Sequence, residues 1–200
     1  MRWLLLALFI VVQAPEKTAQ TNPADDFLMG GPDSPVKMEL FSDFQCPSCR
    51  TFYLDTVKRL LSEYAAGKKV CFVFRDFPLS GHTIARVAAR YALAAKSLGR
   101  DRWLKVIEYL YTCQAEWSYD GKFEPVLARI LSARDMEKLK EELKNPAIEQ
   151  TIDRTVTLGN SKNVTSTPTY FVTMGGKEQR VQNGRLSFPV LKEFIEPYLK

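Results

Sequence analysis

The sequence predicts a single α/β domain whose sheet is interrupted by a helical insertion. Three observations support this fold class: a strand–helix–strand pattern over residues 36–74, helical periodicity without a convincing strand over about 81–160, and a return to strands and a final helix from residue 169 onward. The chain has 200 residues, of which 46% are apolar, so it can bury one sizeable core.

The first 14 residues are predicted to be a signal peptide or leader. Arg2 precedes an unbroken apolar run over residues 3–12. Such a run matches the ~7–15 apolar residues of a secretory signal and is shorter than the ~20 that span a bilayer. Ala14 roughly fits a small-residue cleavage site, but Pro15 follows it directly. An uncleaved leader that tethers the chain to a membrane therefore stays open.

Residues 15–35 hold four prolines and are predicted to be a flexible lead-in to a folded domain over residues 36–200. The mostly apolar run 36–41 predicts a buried strand. Apolar residues then recur at helical spacing over 46–67, and the continuous apolar run 70–74 predicts a second buried strand. Strand, helix and strand together make a βαβ unit.

The middle and the end of the chain supply the remaining predicted elements. Helical stretches are predicted at 83–98, 102–114, 123–131, 135–143 and 146–158, and strands at 169–174 and 179–182. Gly175-Gly176 predicts a hairpin turn between the two strands, and Ser187 is a suitable N-cap for a last helix over 188–198.

The charge distribution does not favour a nucleic-acid partner. The chain has 28 basic and 23 acidic residues, spread along its length, and no basic run is interleaved with aromatic side chains. We therefore expect a solvated surface, no nucleic-acid binding and no cofactor.

Cys46 and Cys49 flank Pro47-Ser48 at the predicted start of the first helix. Unsatisfied N–H groups and the helix dipole stabilise an anion there, so the pKa of Cys46 is expected to fall below the ordinary value of about 8.5. The thiolate is the species that attacks or leaves in disulfide exchange. Cys49 lies one turn later on the same face, so we expect Cys46 to be the exposed, attacking sulfur and Cys49 the buried, resolving one.

A CxxC pair can instead supply half of a zinc site, which needs two further ligands at short spacing. Cys71 and Cys113 lie far apart in the sequence, and His82 is the only histidine. We therefore favour a redox dithiol over metal binding. His82 stands at a predicted helix start, and we favour a structural role for it over a catalytic one.

Three segments, in this order, carry a resemblance to a known family. They are Phe41-Ser42-Asp43-Phe44-Gln45-Cys46-Pro47-Ser48-Cys49, then Phe77-Pro78-Leu79 with His82, then Val164-Thr165-Ser166-Thr167-Pro168-Thr169. They resemble the DsbA-like exported oxidoreductases of the thioredoxin superfamily, over about residues 36–199. The resemblance implies a thioredoxin-like fold with a helical insertion.

The resemblance also implies roles for residues outside the dithiol. Pro168 would be cis and face the dithiol, beside backbone that pairs with an extended client segment, and Thr167 would lie against the sulfurs and tune them. Glu39 matches the family's buried acidic residue if one residue of slack is allowed, and it would accept or relay the proton of Cys49. The alternative that Glu39 faces water stays open, because one step along a strand decides the face.

Cys71 and Cys113 could form a structural disulfide. An even number of cysteines in an exported chain is consistent with pairing, which requires Cα atoms about 4.4–6.8 Å apart. The alternative of two separately buried thiols stays open.

The sequence and the resemblance together predict an exported protein thiol–disulfide oxidoreductase, located in the periplasm or another extracytoplasmic space, or tethered there by its leader. It would donate the Cys46–Cys49 disulfide to reduced or unfolded client proteins. The resemblance implies a membrane quinone-linked reoxidase, or a membrane reductant, as partner, and a monomer is expected.

Pro47-Ser48 lacks the histidine of the most oxidising members, so a milder oxidant is expected. Two alternatives stay open: a disulfide reductase or isomerase, and a redox-inert exported peptide-binding module.

Overall fold

A computed structural model describes residues 27–64, 67–182 and 186–199 of the chain. The predicted leader over residues 1–14 lies outside these residues. Within the described ranges, no helix is both long enough and apolar enough to cross a membrane.

Five strands form one sheet in the order β1–β3–β2–β4–β5. They are β1 (Phe27–Met29), β2 (Val36–Ser42), β3 (Val70–Asp76), β4 (Thr169–Met174) and β5 (Lys177–Gln182). β2 and β3 pair in parallel, as a βαβ unit requires, and the other three pairs are antiparallel. Gly175 and Gly176 between β4 and β5 both have positive φ, as the predicted hairpin turn needs.

Strand β1 lies inside the segment 15–35 that the sequence predicts to be a flexible lead-in, so that prediction is wrong for Phe27–Met29. The three-residue strand pairs with the edge of β3, and Leu28 is fully buried. Gly30 allows this close approach, because a Cβ there would lie 2.2 Å from the carbonyl oxygen of Val70. So short a strand has no periodicity that a sequence could show, and its stability comes from long-range pairing and burial.

Nine helices accompany the sheet within the described residues. They are α1 (Pro47–Phe52), α2 (Lys58–Tyr64), α3 (Ala85–Ala94), α4 (Arg100–Thr112), α5 (Gln114–Trp117), α6 (Phe123–Leu127), α7 (Ala133–Glu142), α8 (Pro146–Ser161) and α9 (Phe188–Ile195). A π-helical segment, Tyr53–Val57, joins α1 to α2. Helices α3 to α8 lie between β3 and β4 in the sequence, so the predicted α/β fold with a helical insertion is confirmed.

Alternate residues of the central strand β2 enter two different hydrophobic cores. Met38 and Leu40 belong to the large core, which also contains Cys46, Cys49 and most of the helical insertion. Phe41 points to the other side of the sheet and packs in a small core with Phe171 of β4. We call these sides the dithiol face and the second face. Because side chains alternate along a strand, every even-numbered residue of β2 lies on the dithiol face.

Candidate active site

The dithiol lies at the start of α1, as the sequence predicts. Cys46 is the N-cap residue with extended backbone, and Pro47 is the first helical residue, where its missing N–H leaves no hydrogen bond unmade. Cys46 is 7% exposed and Cys49 is 1% exposed. Cys46 is thus the more accessible sulfur, although it is far less exposed than the sequence led us to expect. Neither cysteine is joined in a disulfide in this structure.

The two sulfurs differ strongly in their affinity for a proton. The pKa of Cys46 is lowered from 9.0 to about 5, first by a hydrogen bond from the Cys49 thiol, then, against the opposing effect of burial, by the Cys49 backbone N–H. Burial raises the pKa of Cys49 well above its ordinary value, and the neighbouring Cys46 sulfur raises it further. At neutral pH the site therefore holds one thiolate, Cys46, and one thiol, Cys49.

The loop before β4 covers the dithiol. The Thr167–Pro168 peptide bond is cis, as the resemblance implies. The sulfur of Cys46 lies 3.4 Å from the carbonyl oxygen of Thr167. The Thr167 side chain is buried beside the dithiol, where its hydroxyl acts to lower the pKa of both cysteines.

Glutamine side chains tie the active-site turn to the helical insertion. Gln114 of α5 is buried and donates from Nε2 to the carbonyl oxygen of Cys46, at 3.1 Å. Gln45 donates to the carbonyl oxygen of Ser118 at 2.9 Å and accepts from the backbone N–H of Ile84 at 2.9 Å. Sequence reasoning missed both residues, because glutamine carries no redox signature and its partners lie far along the chain.

The carboxylate of Asp43 joins the dithiol turn to the segment after β3. Its side chain is fully buried and accepts hydrogen bonds from the backbone N–H groups of Gln45, at 2.7 Å, and Leu79, at 2.8 Å. His82 Nδ1 lies 2.8 Å from the same carboxylate, which gives His82 a structural contact. The backbone N–H of Asp43 also points to the sulfur of Cys49, at 3.5 Å. Asp43 thus fixes the turn that leads into α1, the helix that contains the resolving cysteine.

The role predicted for Glu39 is wrong. Glu39 lies on the second face, in register with Phe171, whereas Cys49 packs on the dithiol face. Its carboxylate forms ion pairs with Arg75 at 2.9 Å and Lys162 at 3.0 Å. The alternation of side chains along β2 places the sheet between Glu39 and the dithiol, so Glu39 cannot accept the proton of Cys49.

We expect Glu39→Gln to leave disulfide exchange within about twofold of the wild-type rate, because distant sites act independently. The free energy of unfolding should fall by no more than about 1 kcal/mol, since the ion pairs are partly exposed to solvent. Exchange rates and urea unfolding measure the two effects. Glu178→Gln, which removes the other carboxylate partner of Lys162, is the matched control. A tenfold loss of exchange in Glu39→Gln alone would restore its predicted role.

Of the two alternatives left open for Cys71 and Cys113, the structure favours two separately buried thiols over a disulfide. Both thiols are free and buried. Cys71 is in register with Lys37 on the second face, whereas Cys113 belongs to the large core on the dithiol face. The sheet therefore separates the two side chains, and a disulfide tolerates only a short separation.

Metal binding gains no support from the described part of the chain. There, no group of three or more histidine, cysteine, aspartate or glutamate side chains is arranged to hold a metal ion.

Comparison with known proteins identifies the family. The family model described as thioredoxin matches residues 22–196. The chain belongs to the thioredoxin family. A protein described as a probable disulfide bond formation protein D of Bacillus anthracis is 27% identical over 179 residues, which cover 86% of this chain and 77% of the relative.

Solved structures share the overall fold of this chain. α-DsbA1 of Wolbachia pipientis superposes with a TM-score of 0.73 at 18% identity, over 89% of this chain and 92% of that one. Oxidised BdbD from Bacillus subtilis superposes with a TM-score of 0.68 at 24% identity, over 86% and 91% of the two chains. The DsbA-like identification made from the sequence is confirmed, and the chain is a thiol–disulfide oxidoreductase.

Proposed function

We propose that this oxidoreductase is exported and donates the Cys46–Cys49 disulfide to reduced client proteins. The observation that carries the proposal is the placement of Cys46 at the N-cap of α1, beside the Cys49 thiol whose hydrogen bond lowers the pKa of Cys46 to about 5. A stabilised thiolate favours the reduced dithiol over the disulfide, which makes the disulfide a better oxidant. A low pKa also makes Cys46 a good leaving group when the client is released.

The exchange takes place in two steps. A client thiolate attacks the sulfur of Cys46, the Cys46–Cys49 bond breaks, and Cys49 leaves with the electron pair. A second client thiolate then attacks the client sulfur of the mixed disulfide, and Cys46 leaves as a thiolate. The client gains a disulfide, and the enzyme gains two electrons and is left as the dithiol. The cis-Pro168 loop beside Cys46 is the backbone on which an extended client segment would pair.

Export and reoxidation complete the proposal. The apolar run over residues 3–12 supports export, since it has the length of a signal-peptide core. Each turnover leaves a reduced dithiol, so a partner must remove two electrons. By resemblance this partner is a membrane quinone-linked reoxidase. Oxidising compartments outside the cytoplasm are where such disulfides persist.

Paired assays on wild type and Cys46→Ser test the direction of electron flow. The oxidised wild type should convert a dithiol peptide to its disulfide, one equivalent for each enzyme disulfide, and Cys46→Ser should convert none. Cys71→Ala, which alters a buried thiol on the second face, should match the wild type. Insulin reduction by the dithiothreitol-reduced enzyme measures the opposite direction. Rapid insulin reduction without peptide oxidation would show a reductase, and a wild type that is inactive in both directions would show a redox-inert binding module.

A further inference from the structure

Two hydroxyl groups are buried together on the dithiol face. Ser42, the last residue of β2, and Tyr111, in the last turn of α4, bring their side-chain oxygens to 2.7 Å. Ser42 is 1% exposed and Tyr111 is fully buried. Ser42 follows Leu40 by two residues and therefore points to the same face, toward the dithiol. Neither residue has a role in the exchange steps described above.

The pair lies against the resolving cysteine. The Ser42 hydroxyl lowers the pKa of Cys49, and the charge of a Cys49 thiolate raises the pKa of Tyr111, so all three groups are within interaction range. Cys49 is almost inaccessible to water. When its bond to Cys46 breaks, the negative charge on Cys49 must be stabilised by protein groups, because solvent does not reach it.

The hydroxyl of Tyr111 has a fixed position. Its ring packs against Phe44, with ring centroids 4.8 Å apart, and against Tyr53, at 4.9 Å. Arg50 of α1 donates from Nε to the carbonyl oxygen of Tyr111, at 3.0 Å. The burial that raises the pKa of Tyr111 keeps its hydroxyl protonated. A hydroxyl donates one hydrogen bond and accepts up to two, so a bond from Tyr111 to Ser42 leaves the hydrogen of Ser42 for Cys49.

We propose that Ser42 is a catalytic residue that donates a hydrogen bond to the Cys49 sulfur when that sulfur leaves or attacks, and that Tyr111 is the positioning residue that aims Ser42. The proposal rests on the dithiol chemistry proposed above. The pair stabilises the Cys49 thiolate and is not consumed, and the attack by Cys49 releases one proton to the buffer overall for each disulfide that closes. The titratable groups that face the pair are Cys46, Cys49, Asp43 and Asp76.

A coloured aromatic disulfide separates the two cysteines kinetically. The Cys46 thiolate attacks the reagent, forms a mixed disulfide and releases one coloured thiolate. Cys49 then loses its proton and attacks Cys46, which closes the enzyme disulfide and releases a second coloured thiolate. In stopped-flow measurements the first phase reports on Cys46 and the second phase reports on Cys49.

Ser42→Ala and Tyr111→Phe should leave the first phase within about twofold of wild type. Loss of a hydrogen bond to the charged sulfur should raise the pKa of Cys49 by about one to two units, which lowers the fraction of thiolate. A thiolate of higher pKa is also more nucleophilic, and this offsets roughly half of the loss. The second phase should therefore slow about three- to tenfold. Its dependence on pH should also shift to higher pH, because the pKa of Cys49 rises when its donor is lost. Tyr91→Phe, which removes a tyrosine hydroxyl from the helical insertion away from the dithiol, should change neither phase.

The outcomes distinguish this inference from the proposed direction of electron flow. An unchanged second phase in Ser42→Ala, with native circular dichroism, would overturn the role of the pair even if Tyr111→Phe did not fold. A slowed second phase without any shift of the pH profile would indicate a packing defect and would also overturn it. If both phases behave as expected while the wild type oxidises no dithiol peptide, the pair stands and the oxidase proposal fails.

Discussion

We expect Cys49→Ala to raise the pH at which Cys46 becomes reactive by about one to two units, because a hydrogen bond to a charged group contributes about 1.5–3 kcal/mol. In the wild type the pKa of Cys46 is about 5, and the hydrogen bond from the Cys49 thiol is the largest cause of that lowering. Alanine removes this donor and leaves the backbone N–H groups and the helix dipole in place. The thiolate at Cys46 would then form closer to neutral pH.

The rate of alkylation of Cys46 by iodoacetamide, followed by mass spectrometry as a function of pH, measures this shift. The wild-type rate should be half-maximal near pH 5 and level off about one to two units above it, whereas the Cys49→Ala rate should still rise at pH 7. Cys113→Ala is the matched control, because it removes a buried thiol outside the dithiol. Coincident profiles for Cys49→Ala and wild type would show that the Cys49 thiol does not lower the pKa of Cys46.

Much of the fold follows from local patterns in the sequence. β4 spans Thr169–Met174, the residues that the apolar run predicts, and α1 begins at Pro47, next to the predicted N-terminal cysteine. These signals are local because proline fixes backbone geometry and a buried strand needs a continuous apolar run. The dithiol could be predicted for the same reason, since its chemistry depends on four consecutive residues and the helix they open.

The surroundings of the dithiol could not be predicted in the same way. Tyr111 and Gln114 reach the active-site turn from the helical insertion, and each looks like an ordinary core or helix residue in the sequence. For Glu39 the sequence identifies the correct strand but not the face of the sheet on which the side chain lies. Successive residues of a strand point to opposite faces of the sheet. An error of one residue in matching Glu39 to the family's acidic position therefore assigns its carboxylate to the wrong face.

The second large effect concerns the stability of the reduced protein. We expect its free energy of unfolding, relative to that of the oxidised protein, to rise with pH between about 5 and 9 and to be constant below about pH 5. The pKa of Cys46 is about 5 in the folded state and near 9.0 when the site is unfolded. The unfolded chain therefore binds more protons across this window, and stability must increase as protons become scarce.

The expected size follows from about 1.4 kcal/mol for each pH unit above the folded pKa, which amounts to about 3 kcal/mol at pH 7. The oxidised protein has no thiol at Cys46, so its stability lacks this dependence. Closing the small ring also restricts the unfolded chain, but that effect is independent of pH. Cys49 opposes the trend only above pH 9, since its folded pKa is raised rather than lowered.

Urea unfolding of the reduced and the oxidised protein at several pH values measures the difference directly, and reduced Cys46→Ala, which cannot form the thiolate, is the control. A difference that stays constant with pH would show that the Cys46 thiolate is not stabilised by folding.

The same free energy affects the reduction potential, because whatever stabilises the folded dithiol makes the disulfide a stronger oxidant. About 3 kcal/mol corresponds to ~60 mV for a two-electron couple. A shift of that size is consistent with an oxidant of moderate strength, as expected for a dithiol that encloses Pro47-Ser48 without a histidine.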